Sequence, residues 1–269
     1  MCLILFSWDP EPTSPESTNQ SSNAANRLVV AANRDEFYLR PSKSAHFWED
    51  NEQLLAGKDL QLSGTWLGIT RSGRFAAVTN FRKPDKSQYP LSRGKLCSDF
   101  LKGDDNPLTY LQELQSSSEQ YAGFNLIVGD QTTLCYYSNR SEKPPQQLEP
   151  GVYGLSNHLL NTEWPKVKTG VNAFRNVISR EFEPYSKKEQ ALLEVLQNDL
   201  QADDSLLPKT GVGAAIEKML SPLFIKSPAY GTRASTVVQM KHSGEINFLE
   251  QNYNSGGVLA EKIQHQFFC

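Results

Sequence analysis

Cysteine is scarce in this sequence, with four in 269 residues, and no two stand in a C-x-x-C pair. Cys2, Cys97, Cys135 and Cys269 therefore suggest neither a zinc site nor a disulfide scaffold. The four histidines, His46, His158, His242 and His265, lack metal-ligand spacing, so no metal is expected. No apolar run approaches the roughly 20 residues of a membrane-spanning helix. The stretch Met1-Cys2-Leu3-Ile4-Leu5-Phe6 has no basic segment ahead of it and is too short for a secretory signal. Neither sign of charge dominates: 27 Lys+Arg against 30 Asp+Glu leave −3. That balance argues against nucleic acid as a partner. With 38% hydrophobic residues the chain can still bury a core. The expectation is a soluble, cytoplasmic protein without membrane insertion.

The apolar stretch Leu3–Trp8 ends at Asp9-Pro10 and reads as a buried strand. Residues 11–26 are polar and proline-containing, an exposed loop. Arg27–Ala32 restarts the strand pattern and runs into Asn33-Arg34-Asp35-Glu36. As a hairpin with Trp8 opposite Arg27, the pair numbers sum to 35. Cys2 then lies opposite Asn33, beside Arg34 and Asp35, within the few residues that so long a loop leaves open.

Further strands are expected at Gly64–Ile69 and Arg74–Thr79, joined by a turn at Arg71-Ser72-Gly73. Ser92–Leu101 reads as a helix, and Asn106-Pro107 as a cap followed by proline opening a second. Phe124–Val128, Thr133–Tyr137 and Gly151–Leu155 return to strand patterns. Trp164, Val167, Val171, Phe174 and Ile178 make one helical face. Ser186-Lys187-Lys188-Glu189 fits a capping box opening another helix, with Ala191, Leu192, Val195 and Leu196 inward. Strands are expected again near 235–240, 245–249 and 263–268. Antiparallel blocks at both ends with helices between them favour an α+β fold, in one domain over residues 1–269.

Most motif-like pieces have ordinary explanations. Gly211-Val212-Gly213 follows Pro208-Lys209-Thr210 and not a strand, so it reads as a turn or helix entry. Gly154–His158 lacks the closing glycine of a nucleophile elbow. Arg82, Lys83, Lys86, Arg93 and Lys95 gather around one loop, usually a solvated face and less often a phosphate or carboxylate site.

Cys2 stands apart. Methionine ahead of a small side chain is normally trimmed, and a chain beginning with cysteine carries its own base. An α-amine titrates near 7.7–8.0 and can take the thiol proton at about neutral pH. A neighbouring arginine would favour the thiolate, and an acid would hold the ammonium.

Met1-Cys2, Ala32-Asn33-Arg34-Asp35-Glu36, Gly64-Thr65-Trp66-Leu67-Gly68 and Thr79-Asn80-Phe81-Arg82 follow one another in this order. Gly154-Leu155-Ser156-Asn157 and Tyr230-Gly231-Thr232-Arg233-Ala234-Ser235-Thr236 continue the series. Together they resemble the NRDE family, that of transport and Golgi organisation protein 2, over nearly the whole chain. The loop at about 10–26 looks like an insertion relative to that family. The resemblance implies an N-terminal-nucleophile hydrolase fold, a four-layer αββα sandwich of two antiparallel sheets. More distantly the chain is similar to amidases that begin with Met-Cys.

Carried over by residue, the resemblance makes Cys2 the nucleophile, with Arg34 against its sulfur. Asn80 and Asn157 become oxyanion donors and Arg233 a brace. The amidases place their acid three positions after the arginine, where this chain has Phe37, so Asp35 and Glu36 share the claim to hold the amine. No cofactor is implied as a requirement. Two readings follow: a hydrolase or acyltransferase acting on an amide or thioester, or a carrier of haem, acyl-CoA or another lipid-like anion. Haem trafficking and lipid metabolism have both been proposed for the family. A carrier would use Phe37, Tyr38, Trp48, Phe81, Tyr89 and Tyr230 as apolar walls, with Arg82 and Lys83 at the rim.

Overall fold

Strand alternation sorts the first strand's side chains onto two faces, and the fold is built around that division. In the computed structural model, which describes residues 2–11, 26–180, 182 and 186–269, β1 (Cys2–Trp8) sends Ile4, Phe6 and Trp8 to one side and Leu3 and Leu5 to the other. Both sets are buried, so β1 is a central strand covered on two faces.

One sheet has the order β10-β1-β2-β11-β12-β13. Its other members are β2 (Asn26–Phe37), β10 (Gly151–Leu155), β11 (Tyr230–Lys241), β12 (Glu245–Tyr253) and β13 (Leu259–Phe268). The second runs β3-β4-β5-β6-β7-β8-β9. Its strands are β3 (Ser42–Trp48), β4 (Asn51–Asp59), β5 (Leu67–Thr70), β6 (Phe75–Asn80), β7 (Phe124–Gly129), β8 (Leu134–Ser138) and β9 (Gln146–Gln147). Every pairing among these strands is antiparallel.

The facing sides of the two sheets share a core containing Ile4, Phe6, Trp8, Ile69, Phe75, Ile127 and Phe248. On the outer face of the second sheet lie α1 (Arg93–Lys102) and α2 (Pro107–Gln115), packing Leu96, Phe100 and Leu111 onto Ala76 and Leu126. On the outer face of the first lie α3 (Pro165–Ile178) and α4 (Ser186–Leu196), where Phe174, Leu192 and Leu196 meet Leu3 and Leu5. The layers therefore run αββα. Burial of each such aliphatic side chain contributes about 1.5–3 kcal/mol.

Local signals account for the helix boundaries. Ser92 accepts the Gly94 N–H and Asn106 accepts that of Leu108, with Pro107 in the first turn of α2. α4 begins at Ser186, the first residue of the expected capping box. The Gly211–Gly213 stretch is a turn leading into α5 (Ala214–Met219), and both glycines have positive φ, 94° and 92°. Most of the expected loop insertion at about 10–26 falls outside the described residues.

The β1–β2 register differs from expectation by one. Cys2 pairs with Arg34 and Trp8 with Leu28, so pair numbers sum to 36. The sequence also gave no sign of β3 and β4, because register shifts between Lys43 and His46 and between Phe47 and Trp48 break the period-two pattern. No helix of the described residues is long and apolar enough to cross a membrane.

Candidate active site around Cys2

The register places Cys2 and Arg34 on the same face of neighbouring strands, the face that looks toward the second sheet. A cleft of about 260 Å³ opens there, lined by Cys2, Arg34, Asp35, Glu36, Arg40, Asp59, Trp66, Asn80, Tyr89 and Arg93 among others. Cys2 is half-buried at its base, and Ser156 Oγ donates to its carbonyl at 2.9 Å.

The four residues from Asn33 to Glu36 divide between the two faces of β2. Asn33 Nδ2 donates to the Leu196 and Leu223 carbonyls at 2.9 and 2.8 Å, and its Oδ1 accepts from Ser235 Oγ at 2.6 Å. Asn33 thus fastens the helical layer to the sheet. Arg34 turns the opposite way. Its guanidinium lies 4.0 Å from the Trp66 ring centre, donates to Ser42 Oγ and reaches Asp59 at 3.9 Å. Asp35 is buried, and its Oδ1 accepts from Thr232 Oγ1 at 2.7 Å. Glu36 accepts the Phe37 N–H and approaches Arg40 at 3.9 Å.

Burial pushes the Cys2 thiol up, and the Asp35 charge adds to this, while the Asp35 backbone N–H and Arg34 act in the opposite direction. Burial also raises the Asp35 carboxyl, opposed first by Lys166. Lys166 itself lies buried in α3, with Nζ 3.3 Å from the Leu220 carbonyl, and burial lowers its pKa to about 8.

The motif containing Trp66 explains how α1 comes to edge the cleft. A Cβ on Gly64 would sit 2.4 Å from the Gly94 carbonyl carbon, so only glycine lets this segment pass the first turn of α1. The Thr65 N–H donates to the Gly94 carbonyl across that contact. On the opposite wall, the end of β6 is bonded to the chain after β10. Thr79 Oγ1 donates to the Ser156 carbonyl at 2.6 Å, Asn157 Nδ2 to the Asn80 carbonyl at 3.0 Å, and the Arg82 N–H to the Asn157 carbonyl at 2.7 Å.

These bonds separate the two asparagines. Asn80 lines the Cys2 cleft. Asn157 is fully buried, directs its amide to the Asn80 backbone and does not line the cleft. Arg233 sits at a β-bulge in β11 and donates to the Phe37 and Arg40 carbonyls at 3.1 and 2.7 Å, bracing the turn after β2.

The expected apolar wall is not assembled. Phe37 is exposed and meets Tyr230 edge-on, Tyr230 Oη donates to the Asp35 carbonyl, and Trp48 belongs to the outer core beneath α1. Of the six aromatics, Tyr89 lines the Cys2 cleft, whereas Phe81 lines the adjoining hollows. Arg82 is not at a rim. It is buried and ion-paired with Glu217 at 2.6 Å, its guanidinium 4.7 Å from the Trp164 ring centre. Its place in a row of cations hid this, since Glu217 is 135 residues away in the short α5. Lys166 was also missed, although its spacing of four to the buried Gly170 marks it as an inward-facing lysine. Among the described residues no cluster of His, Cys, Asp and Glu could hold a metal ion.

Residues 1–255 match the sequence profile of the Transport and Golgi organisation 2 family. The chain belongs to that family. The Transport and Golgi organization protein 2 homolog of Homo sapiens is 39% identical over 265 residues, covering 94% of this chain and 93% of its own. The Bos taurus homolog is 37% identical over 284 residues, covering 99% of both chains. The Drosophila melanogaster protein is 27% identical over 272 residues, covering 93% and 92%. Among solved structures, an N-acylethanolamine-hydrolyzing acid amidase ortholog of Caenorhabditis elegans aligns with a TM-score of 0.48 at 10% identity, covering 88% of this chain and 92% of its own. A mutant conjugated bile acid hydrolase from Clostridium perfringens aligns at 0.46 and 7% identity, covering 98% and 92%.

Proposed function

We propose that this family member is a cysteine N-terminal-nucleophile hydrolase acting on an amide or thioester, with Cys2 as the first residue of the working enzyme. The observation that carries the reading is the pairing of Cys2 with Arg34 at the base of a polar cleft that also holds Asn80. Once Met1 is removed, the α-amine of Cys2 is the nearest base to its own thiol. The amine takes the thiol proton, the sulfur attacks the acyl carbon, and the oxyanion accepts from the Asn80 side-chain amide. One such donor contributes about 3 kcal/mol to the transition state. The ammonium returns its proton to the departing amine or thiol. Water, deprotonated by the same amine, then hydrolyses the acyl-cysteine thioester.

Of the two acids left open by the sequence, Asp35 suits the ammonium better. It is buried, its backbone N–H meets the Cys2 sulfur, and Glu36 is turned toward Arg40. Asn157 acts through Asn80 by fixing the strand end, and Arg233 by fixing the turn. The carrier reading finds less support. The cleft is walled by paired charges where a flat apolar ligand such as haem would need apolar sides.

The test uses protein released with Cys2 at its N-terminus, mixed with a short-chain acyl thioester and followed by intact mass. The expected result is a transient adduct of one acyl group on Cys2, with turnover, and neither in Cys2→Ala or in protein retaining Met1. Absence of both adduct and turnover in the Met1-free protein would overturn the proposal.

A further inference from the structure

A second hollow of about 480 Å³ adjoins the cleft and shares Asn80 and Arg93 with it. Its walls include Phe81, Lys83, Val212 and Ile216, and no carboxylate lines it. The cleft's other cations are compensated. Arg40 meets Asp59 at 2.7 Å, and Arg34 has Asp59 and the Trp66 face. Arg82, on the wall of the second hollow, has Glu217.

Arg93 and Lys83 differ. Among the described residues, neither has a carboxylate within 4 Å, and the half-buried Arg93 guanidinium donates to the Gly123 carbonyl at 3.3 Å. Removing a guanidinium from water without a contacting carboxylate is costly, with Glu36 in the same cleft acting on Arg93 only from a distance. An arginine held this way offers a planar fork suited to carboxylate or phosphate oxygens.

The far wall is held in place. Glu217 accepts from Thr210 N and Oγ1 at 3.0 and 2.5 Å as well as from Arg82, which ties the turn carrying Gly211 and Val212 to the hollow. Ile216, on α5, is 46% exposed and faces this space with Val212, giving the hollow an apolar side opposite its cations.

We infer that this hollow is a substrate subsite for an amphipathic organic anion, whose oxyanion group binds Arg93 and Lys83 while its apolar part lies on Phe81, Val212 and Ile216. Arg93 is then a specificity residue. It selects acyl compounds that carry an anionic oxygen group within a few bonds of the carbonyl presented to Cys2. This rests on Cys2 as the reacting centre, but it can be tested without turnover.

The experiment measures protection of Cys2 from iodoacetamide by octanoate and by its neutral counterpart octanamide, each rate taken relative to the same variant without ligand. Inorganic phosphate serves as the anion without a tail. Octanoate should protect at concentrations at least tenfold below octanamide and below phosphate. Arg93→Met should raise the protecting octanoate concentration tenfold or more, Lys83→Met should raise it less, and Arg93→Lys should restore part of the loss. Equal protection by octanoate and octanamide, no protection by octanoate, or unchanged protection in Arg93→Met would overturn the inference. Protection by phosphate as strong as by octanoate would overturn the apolar half of the subsite. A failure of turnover in the acyl-thioester assay, with selective protection intact, would remove the hydrolase reading and with it the role in substrate selection, while the amphipathic-anion site at Arg93 would stand.

Discussion

Replacing Glu217 by glutamine, a near-isosteric exchange at a buried position of α5, should destabilise this protein strongly. The Arg82–Glu217 pair is 2.6 Å long, with side chains only 2% and 3% exposed. Glutamine keeps the shape and a donor-acceptor set but leaves the Arg82 charge without its counter-charge. Stranding one member of a buried pair costs about 3–5 kcal/mol. Much of a small domain's stability, some 5–15 kcal/mol, would be lost. α5 spans six residues, too few to hold itself together, and Glu217 is its buried anchor. The same mutation should therefore loosen the turn at Gly211 and weaken octanoate protection. Arg82→Met combined with Glu217→Met should cost clearly less than the sum of the two single changes, because no buried charge is then stranded, and what remains reflects the Thr210 donors that lose their acceptor. Urea unfolding of wild type, Arg82→Met, Glu217→Met and the double mutant closes a double-mutant cycle with a coupling of about 3 kcal/mol or more. A cost below about 1 kcal/mol for Glu217→Gln, or an additive double mutant, would refute the reasoning.

The lysine behind Asp35 should leave a mark on the pH dependence of stability. Its pKa is near 8 in the fold against 10.5 in the unfolded chain, so between these values the unfolded chain holds the extra proton and this group's contribution rises with pH. Wild type should gain up to about 3 kcal/mol relative to Lys166→Met from pH 8 to 10.5, and a flat difference in urea melts would contradict this. Asn80→Ala should reduce acyl transfer about a hundredfold while leaving iodoacetamide labelling of Cys2 near normal, because alkylation builds no oxyanion; equal losses in both would remove it as a donor. Asn33→Ala should cost about 2–4 kcal/mol by stranding three buried partners, whereas Arg34→Ala should chiefly slow Cys2 labelling; the reverse pattern would undo the assignment of their two faces.

Much of the strand plan was readable because buried strands and amphipathic helices announce themselves by period. β1, β2 and β5–β8 arise from apolar runs between turn residues, and α3 from an apolar stripe. β3 and β4 were not readable, since bulges shift His46 and Trp48 out of alternation. The cations around the loop after β6 looked alike in sequence. Burial separates them: Arg82 goes to the interior, Arg93 to the cleft and Lys83 to the surface. A partner 135 residues away in sequence leaves no local trace. In the same way, the sequence could name Asn80 and Asn157 together but not divide them. Their different positions depend on hydrogen bonds between the end of β6 and the chain after β10, which join two different sheets.

The one-residue difference in register carries the most chemical consequence. Opposite residues of an antiparallel pair point to the same face, and alternate residues along a strand point to opposite faces. With numbers summing to 35, Cys2 would share a face with Asn33 and not with Arg34. With numbers summing to 36, Cys2 shares a face with Arg34, and both look toward the second sheet, where the cleft is. The order Asn-Arg-Asp-Glu then serves two tasks from one strand. Asn33 fastens the sheet to what lies behind it through the Leu196 and Leu223 carbonyls, and Asp35 bonds sideways to Thr232 on β11, while Arg34 and Glu36 border the cleft in front. A helix would have put Asn33 and Glu36 on one side and left Arg34 without that separation. The strand period is what allows a motif of four consecutive polar residues to sit in a buried sheet, with a cysteine from the neighbouring strand set directly opposite the Arg34 cation and within reach of the Asp35 charge.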